Sequence, residues 1–192
     1  QPPVKIFVEK TPIPDLLVVR HEVFEDARGF FMEVFRGDVF SEAGLPASFV
    51  QSNHSRSQRG VLRGLHFQWD PPMGKLMRVT RGEAFLVGVD IRPSSATLGR
   101  WHGVTLSERD RAQVWAPAGF ARGFAVLSAE AEIQYLTTGT YNAAAESGIQ
   151  WNDPAIGITW PIESPSLSQK DANAQTLAQW LACPEASHFN HS

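Results

Sequence analysis

Apolar residues occur along this 192-residue chain in short runs, with 15 glycines and 13 prolines among them. Because glycine and proline mark turns, this spacing predicts many short strands rather than long helices. The predicted strands are residues 16–19, 29–35, 61–68, 76–79, 84–91, 101–106, 113–116, 123–127 and 131–136. In one of them Phe85, Val87, Val89 and Ile91 occupy every second position, which is typical of a half-buried strand.

Two segments have helical patterns. Residues 36–43 are followed by Gly44 and Pro46, which commonly end a helix. Residues 171–182 have apolar residues at helical spacing, so we expect residues 172–192 to form a C-terminal helix and tail. No repeat or linker divides the chain, and eight or more short strands favour a β-sandwich, a jelly roll or a small barrel. We therefore predict one all-β domain over residues 1–192, with a few short peripheral helices.

The composition argues against several classes of protein. Hydrophobic residues make up 43% of the chain, charged residues 19%, and the formal net charge is −3. This balance favours neither nucleic-acid binding nor an anionic membrane surface. The first residues lack the basic start and apolar run of a signal peptide, and no apolar stretch approaches the ~20 residues that span a bilayer. The only cysteine, Cys183, allows no intrachain disulfide, so we expect a cytoplasmic protein.

The most informative segment lies between residues 51 and 76, where polar side chains interrupt a pattern of buried strands. It contains Gln51, Asn53, Arg63, His66 and Lys75. Polar groups in a strand core are costly unless each finds a partner. Sequences depart from their own patterning mostly where function requires it. These residue types suit anion binding combined with proton transfer on a rigid platform.

His66 is the first candidate for proton transfer. A histidine among apolar residues is more often a satisfied core group than a catalyst, but Arg63 and Lys75 lie close to it in the sequence. In a regular strand, residues 63 and 66 face opposite sides. If both side chains serve one site, Gly64 should mark a bulge or a twist.

Other signals are weak when they are taken singly. Tyr135 and Tyr141 lie at or just after a strand end, where tyrosine is commonly a residue between core and surface. Asp171 is a candidate helix cap. Arg28 lies in a turn before the strand that carries Glu33, and a turn alone explains it.

Metal binding has little support in the sequence. The six histidines form no H-x-H pair, and the one close pair, His188 and His191, lies in a polar tail that we expect to be solvated. A zinc or iron site would need three clustered protein ligands. We therefore predict that the protein binds no metal.

Eight segments together resemble the dTDP-4-dehydrorhamnose 3,5-epimerase family. They are residues 26–33 (DARGFFME), 49–55 (FVQSNHS), 61–68 (VLRGLHFQ), 74–76 (GKL), 89–92 (VDIR), 117–121 (PAGFA), 151–154 (WNDP) and 167–171 (LSQKD). The resemblance implies a cupin-type jelly roll without metal or cofactor, and a homodimer that exchanges N-terminal strands. It also implies a nucleoside-diphosphate 4-keto-6-deoxy sugar as substrate, with thymidine as nucleoside, and epimerisation at carbon 3, carbon 5 or both in deoxysugar biosynthesis.

The resemblance implies a role for each candidate residue. His66 would be the catalytic base and Asp171 the acid that orients it. Tyr135 would be the proton donor, and Lys75 the cation beside the keto oxygen. The implied binding residues are Gln51, Asn53 and Arg63 for the diphosphate and sugar, Tyr141 for stacking on the base with Glu146 and Lys170 close by, and Arg28 and Glu33 from the partner subunit.

Two positions depart from the family pattern. Arg122 stands within residues 119–123 (GFARG), where a histidine is usual, and Leu86 stands where an aspartate is common. An arginine does not act as a base at any working pH, but its fork can grip a phosphate. We therefore hypothesise that Arg122 binds diphosphate or sugar, the alternative being family drift at one wall of the site. The change leaves open whether one carbon or two is epimerised.

Two other functions are alternatives to epimerisation. One is a related cupin that performs ketoisomerisation on the same type of substrate. The other is a jelly roll that binds a sugar nucleotide without turnover, which would require a broken proton-transfer pair. The presence of His66, Tyr135 and Asp171 together favours the epimerase.

Overall fold

A computed structural model describes residues 4–190 of the chain, and most of their regular secondary structure is antiparallel strand. Within that range the strands are β1 (Ile6–Lys10), β2 (Leu17–His21), β3 (Val23–Asp26), β4 (Gly29–Met32), β5 (Gln51–Gln58), β6 (Leu62–Gln68), β7 (Lys75–Arg81), β8 (Glu83–Asp90), β9 (Trp101–Ser107), β10 (Ala112–Ala116), β11 (Phe120–Val126), β12 (Glu130–Thr137) and β13 (Glu146–Gly148). The helices are α1 (Gly37–Glu42), α2 (Gln169–Ala172) and α3 (Leu177–Leu181), with 3-10 helices at Ala143–Ala145 and Pro184–Phe189.

Two sheets form the body of the protein. The first has the strand order β1-β2-β10-β7-β12-β5, and the second has the order β13-β6-β11-β8-β9. Paired strands are antiparallel throughout both sheets. Strands that are distant in sequence are neighbours in both sheets, as in a double-sheet jelly roll. The predicted cupin-type all-β fold is confirmed.

The main core lies between the two sheets. Val18, Met77 and Val114 of the six-stranded sheet pack with Leu86 and Phe120 of the five-stranded sheet, and all are buried. Fully burying such a side chain stabilises the fold by about 1.5–3 kcal/mol relative to leaving it exposed. This core holds the two sheets in fixed positions, so that polar side chains next to the core project from a rigid frame.

The outer face of the five-stranded sheet is also covered. Val87, Val89 and Ile91 pack there against Trp180 and Phe189 of the C-terminal segment. The prediction of a half-buried strand at residues 84–91 is therefore wrong. The alternation of these residues is real, but Ala84 and Leu86 on the opposite face, which the pattern assigns to solvent, are buried in the main core between the sheets.

The helices follow the prediction at one end of the chain and depart from it at the other. Helix α1 is confirmed, and Gly44 after it has φ +77°. The single helix expected over residues 171–182 is wrong, because Thr176 forms a capping box with Gln179 and starts a new helix, α3. In the tail, His188 is exposed, whereas His191 lies outside the described residues. No helix in residues 4–190 is long and apolar enough to cross a bilayer.

Strand β5 is absent from the predicted set. Its eight residues are all polar and have no apolar alternation, yet it pairs with β12 along its full length. Gln51, Asn53 and Ser55 of β5 line a cavity between the sheets instead of contributing to the core. A strand that faces a polar cavity carries none of the apolar signal on which strand prediction depends.

Candidate active site

His66 lines this cavity and forms a pair with Asp171. His66 Nε2 lies 2.6 Å from Asp171 Oδ1, and the backbone N–H of Gly64 donates to Asp171 Oδ2 at 3.1 Å. The His66 side chain is 30% exposed and the Asp171 side chain 6%, so the imidazole is the member of the pair that can meet a ligand. Because Nε2 is held by the carboxylate, Nδ1 is the nitrogen left to accept a proton.

Asp171 reaches His66 from the short helix α2. Ser168 caps that helix, since its hydroxyl accepts a hydrogen bond from the Asp171 backbone N–H. The capping role considered for Asp171 is therefore wrong, and its carboxylate turns toward β6 instead. Burial raises the pKa of Asp171, but the hydrogen bond and charge of His66 outweigh that effect and hold the pKa below its ordinary value. The carboxylate is thus ionised at neutral pH beside the imidazole.

A bulge in β6 turns Arg63 and His66 into the same cavity. In the pairing with β11, His66 lies opposite Arg122 and Arg63 lies opposite Phe124. Two residues of β6 therefore face one residue of β11. Gly64 has φ +138°, and Arg63 and His66 both line the cavity. The bulge predicted at Gly64 is confirmed.

Replacing Gly64 with alanine is expected to destabilise the fold by about 2–5 kcal/mol, since it adds backbone strain to overpacking. The new Cβ would lie 2.6 Å from Gly123 Cα and 2.9 Å from the Arg122 carbonyl oxygen. Gly29→Ala is the matched control, because Gly29 has a similar φ of +131° but nothing within 4 Å that a new Cβ would meet. Urea unfolding should show a clearly smaller loss for Gly29→Ala. Equal losses would mean that the close approach of β6 and β11 contributes nothing.

Tyr135 and Lys75 project from the opposite wall. They lie on the adjacent strands β12 and β7 of the six-stranded sheet, and Lys75 Nζ lies 4.7 Å from the centre of the Tyr135 ring. Burial, and then the charge of Arg122, lower the pKa of Lys75 to about 7, although Glu146 opposes the shift. Lys75 therefore titrates near neutral pH in the absence of a ligand.

Arg122 lies deep in the cavity wall and is 2% exposed. Its Nη1 donates to the carbonyl oxygens of Met73 at 2.8 Å and Pro117 at 3.3 Å, whereas Nε and Nη2 have no partner among residues 4–190. Burial lowers the pKa of Arg122 to about 9, so the guanidinium stays charged at neutral pH. Leu86 is buried in the core and supplies no charge to balance it.

The outer part of the cavity carries the remaining predicted binding residues. Gln51 accepts a hydrogen bond from the Tyr141 backbone N–H at 2.9 Å and donates to Asn53 Oδ1 at 3.2 Å. Tyr141 is 59% exposed, which leaves its ring available for stacking. Lys170 Nζ forms an ion pair with Glu146 at 2.6 Å. These side chains surround the entrance, with Glu146 lining the cavity itself.

Arg63 lies at the cavity mouth. Its Nε donates to the Ser57 hydroxyl at 2.8 Å, and no carboxylate in residues 4–190 pairs with it. An exposed cation without an acid partner can meet an anionic group of a ligand.

Arg28 and Glu33 do not reach the cavity within one chain. Arg28 lies at the tip of the β3–β4 hairpin, where it pairs with Asp26 and has 91% of its side chain exposed. Glu33 follows β4 directly. The same hairpin exposes Phe30 and Phe31 to solvent by 54% and 58%.

Sequence reasoning missed Gln68, which organises the cavity rim. Its side chain is 1% exposed, donates to the carbonyl oxygens of Pro71 and Thr140, and accepts from the Asn142 backbone N–H. These bonds hold the loop that carries Tyr141. The strand period could have found Gln68, because it lies two residues after His66 and therefore points to the same side.

The described part of the chain contains no group of three or more histidine, cysteine, aspartate or glutamate side chains placed to hold a metal ion. The polar groups that converge here are a histidine–carboxylate pair, a tyrosine and two deep cations. This set can move a proton and stabilise an oxyanion.

Comparisons with known proteins agree with this geometry. A model of the dTDP-4-dehydrorhamnose 3,5-epimerase family matches residues 10–179. The enzyme of that name from Shigella flexneri is 54% identical over 170 residues, which cover 88% of this chain and 94% of that protein. A dTDP-4-dehydrorhamnose 3-epimerase from Streptomyces niveus is 42% identical over 156 residues, covering 80% and 75%.

A solved structure is similar over nearly the full chain. It is the dTDP-6-deoxy-D-glucose-3,5-epimerase from Legionella pneumophila in complex with dTDP-4-keto-L-rhamnose. The TM-score is 0.90 at 44% sequence identity, with 94% of this chain and 96% of that chain covered. The family model alone spans most of the sequence, and these relatives match it along most of their own length. The chain belongs to the dTDP-4-dehydrorhamnose 3,5-epimerase family.

Proposed function

We propose that His66, Asp171, Tyr135 and Lys75 catalyse the epimerisation of a dTDP-linked 4-keto-6-deoxyhexose through an enolate. As a member of its family the protein is a carbohydrate epimerase, an isomerase. The observation that carries the proposal is the placement of the base and the proton donor on facing sheets, with a deep cation beside the donor. Epimerisation needs two proton-transfer groups on opposite faces of one carbon, and this cavity has them on opposite walls.

His66 removes the proton next to the ketone. Its Nδ1 faces away from the bond to Asp171 and accepts the proton, while the ionised Asp171 fixes the tautomer and stabilises the imidazolium. The electron pair of the broken C–H bond forms the enolate double bond, and negative charge develops on the C4 oxygen. Lys75 stabilises that charge, and Tyr135 returns a proton from the opposite face.

The shape of the cavity supports an assignment of the binding residues. The sugar must lie at the inner end, where it can meet His66, so the diphosphate and the base lie toward the mouth. We assign Gln51, Asn53 and Arg63 to the diphosphate and sugar. Tyr141 stacks on the base. The remaining residues are Glu146 and Lys170 beside Tyr141, and Arg122 at the sugar end.

We further propose that the enzyme acts as a homodimer in the cytoplasm. The β3–β4 hairpin supports a dimer because it exposes three phenylalanines, including Phe24 at 47%, and holds Arg28 far from the cavity of its own chain. Exposed apolar groups of this size mark interaction surfaces. In a dimer the hairpin can carry Arg28 and Glu33 to the cavity of the partner.

The proposed activity is tested by incubating the protein with dTDP-4-keto-6-deoxyglucose in heavy water and following the sugar protons by NMR. Exchange at carbons 3 and 5 supports a 3,5-epimerase, and exchange at one carbon supports a mono-epimerase, the alternative that the Arg122 and Leu86 departures leave open. Movement of the keto group indicates a ketoisomerase. Tight binding with neither change would contradict the proposal and indicate a binding protein.

A further inference from the structure

One half of the Arg122 guanidinium is anchored and the other half is free. Nη1 donates to two backbone carbonyl oxygens, which fix the plane of the group. Nε and Nη2, on the opposite edge, have no partner in residues 4–190 although both atoms are buried. A buried donor without an acceptor is unfavourable because it has lost its hydrogen bonds to water, and more so when it is charged. The edge is therefore available to donate hydrogen bonds to oxygen atoms of a ligand.

Three other arginines in this protein show what such an edge binds. Arg28, Arg36 and Arg92 each use Nε and Nη2 together to hold both oxygens of one carboxylate. The two N–H groups point the same way, so they match a pair of adjacent oxygens. The free edge of Arg122 is suited to the same kind of partner.

No side chain in residues 4–190 supplies this oxygen pair. On β8 the residue opposite Arg122 is Gly88, and the diagonal neighbours on the same face are Leu86 and Asp90, whose two carboxylate oxygens are already held by Arg92. None of the ion pairs in that range includes Arg122. The partner on the other flanking strand is His66. The free edge consequently lies at the reacting end of the cavity and away from the exposed mouth.

We propose that Nε and Nη2 of Arg122 bind the C4 oxygen and the C3 hydroxyl of the sugar, and so direct proton exchange toward carbon 3. This inference rests on the proposed function, because it assumes that a 4-keto sugar occupies the cavity. An equatorial C3 hydroxyl lies nearly in the plane of the C4 carbonyl, and the two oxygens point the same way. On the other side of the carbonyl, carbon 5 carries a methyl group and the ring oxygen, which offer no such pair.

Two enolates can form, one toward carbon 3 and one toward carbon 5, and this binding stabilises the enolate toward carbon 3 more. When the C3–H bond breaks, the proton goes to His66, the electron pair forms the C3=C4 double bond, and the carbonyl pair moves to the C4 oxygen. Charge then develops on an oxygen that Arg122 already holds together with its neighbour. In the enolate toward carbon 5, the C3 hydroxyl is not part of the enolate, and Arg122 stabilises the charge only through the C4 oxygen. That enolate is therefore stabilised less by Nε and Nη2 of Arg122.

Arg122→Lys tests the fork because it keeps the charge and removes the paired N–H groups. We expect deuterium exchange at carbon 3 to fall about tenfold to a hundredfold, with a much smaller change at carbon 5. Leu86→Asp is the second variant, since a carboxylate at the diagonal position would occupy the fork while Arg122 is retained. It should also lower the ratio of carbon 3 to carbon 5 exchange, and Leu86→Asn is its uncharged control.

A substrate lacking the C3 hydroxyl tests the wild-type enzyme without any mutation. With dTDP-4-keto-3,6-dideoxyhexose, the ratio of deuterium exchange at carbon 3 to exchange at carbon 5 should fall. The exchange rates of Arg122→Lys should also differ less from those of the wild type. An unchanged ratio in both variants and with this substrate would overturn the inference. So would weaker dTDP binding in Arg122→Lys with equal losses at both carbons, which would assign Arg122 to the diphosphate. Absence of all exchange in the wild type would instead refute the proposed function, and this inference with it.

Discussion

Replacing His66 with alanine is expected to abolish the exchange of solvent deuterium into the sugar at every carbon that the wild type exchanges. The imidazole is the exposed member of the His66–Asp171 pair, and its Nδ1 is the atom positioned to take the proton. Loss of a general base reduces rates by about 10²–10⁴-fold, which places residual exchange near the detection limit of proton NMR.

A second histidine in the same protein provides the control. His54 Nε2 lies 3.0 Å from Glu132 Oε1, but its side chain is 50% exposed and points to the outer face of β5. His54→Ala should therefore exchange at the wild-type rate. Asp171→Asn keeps the shape of the side chain but removes its charge, so it should lose about 10²–10⁴-fold. Exchange in His66→Ala at the wild-type rate would show that another group is the base.

The sequence predicted the inner wall of the site well, because its polar residues interrupt apolar strands. Most strands follow from short apolar runs, and His66 within one run and Lys75 just before another stand out as groups that a core would not retain without use. Even the bulge follows from elementary reasoning. If Arg63 and His66 share a cavity, strand parity requires an extra residue between them, and Gly64 is the residue that tolerates the required backbone.

Other parts of the site carry no local signal. Asp171 is 105 residues from His66, and its immediate sequence is that of a helix start, so only the folded structure shows that Ser168 caps and Asp171 turns inward. Strand β5 has no apolar period because its inner residues face a cavity. The coverage of Val87 and Val89 depends on a C-terminal segment about 90 residues away. These features are set by packing between distant segments, which local propensity does not encode.

Arg122 lies between these two cases. The resemblance to the family implies that Arg122 stands where a histidine is usual, and Leu86 offers no carboxylate, but the sequence does not show which N–H groups are free. The structure adds that Nη1 is bound to the backbone and that Nε and Nη2 are not. A buried guanidinium near Lys75 also affects its neighbour, because like charges in a low-dielectric cavity lower the pKa of the lysine.

Replacing Lys75 with methionine is expected to lower kcat by about 10²–10³-fold, the usual cost of removing one group that stabilises an oxyanion. The pH dependence of kcat/KM tests whether Lys75 supplies the charge that stabilises the oxyanion. The pKa of Lys75 is lowered to about 7 in the free enzyme, first by burial and then by Arg122. The active form is protonated, so kcat/KM, which reports the free enzyme, should fall as the pH rises through about 7. The anionic substrate favours charged Lys75, so the corresponding fall in kcat should come at higher pH.

Lys75→Met should lose this falling limb while keeping a stable fold. Desolvation disfavours charged Lys75 more than Glu146 favours it, so the charge costs folding free energy below pH 7, and the cost disappears as the pH rises toward the ordinary value of 10.5. The variant should therefore unfold at the same or a higher urea concentration than wild type, with the largest gain at low pH. Arg122→Gln removes the neighbouring charge and should move the limb to higher pH. A wild-type kcat/KM that stays level from pH 6 to pH 9, or a limb that persists in Lys75→Met, would show that Lys75 does not supply the charge that stabilises the enolate.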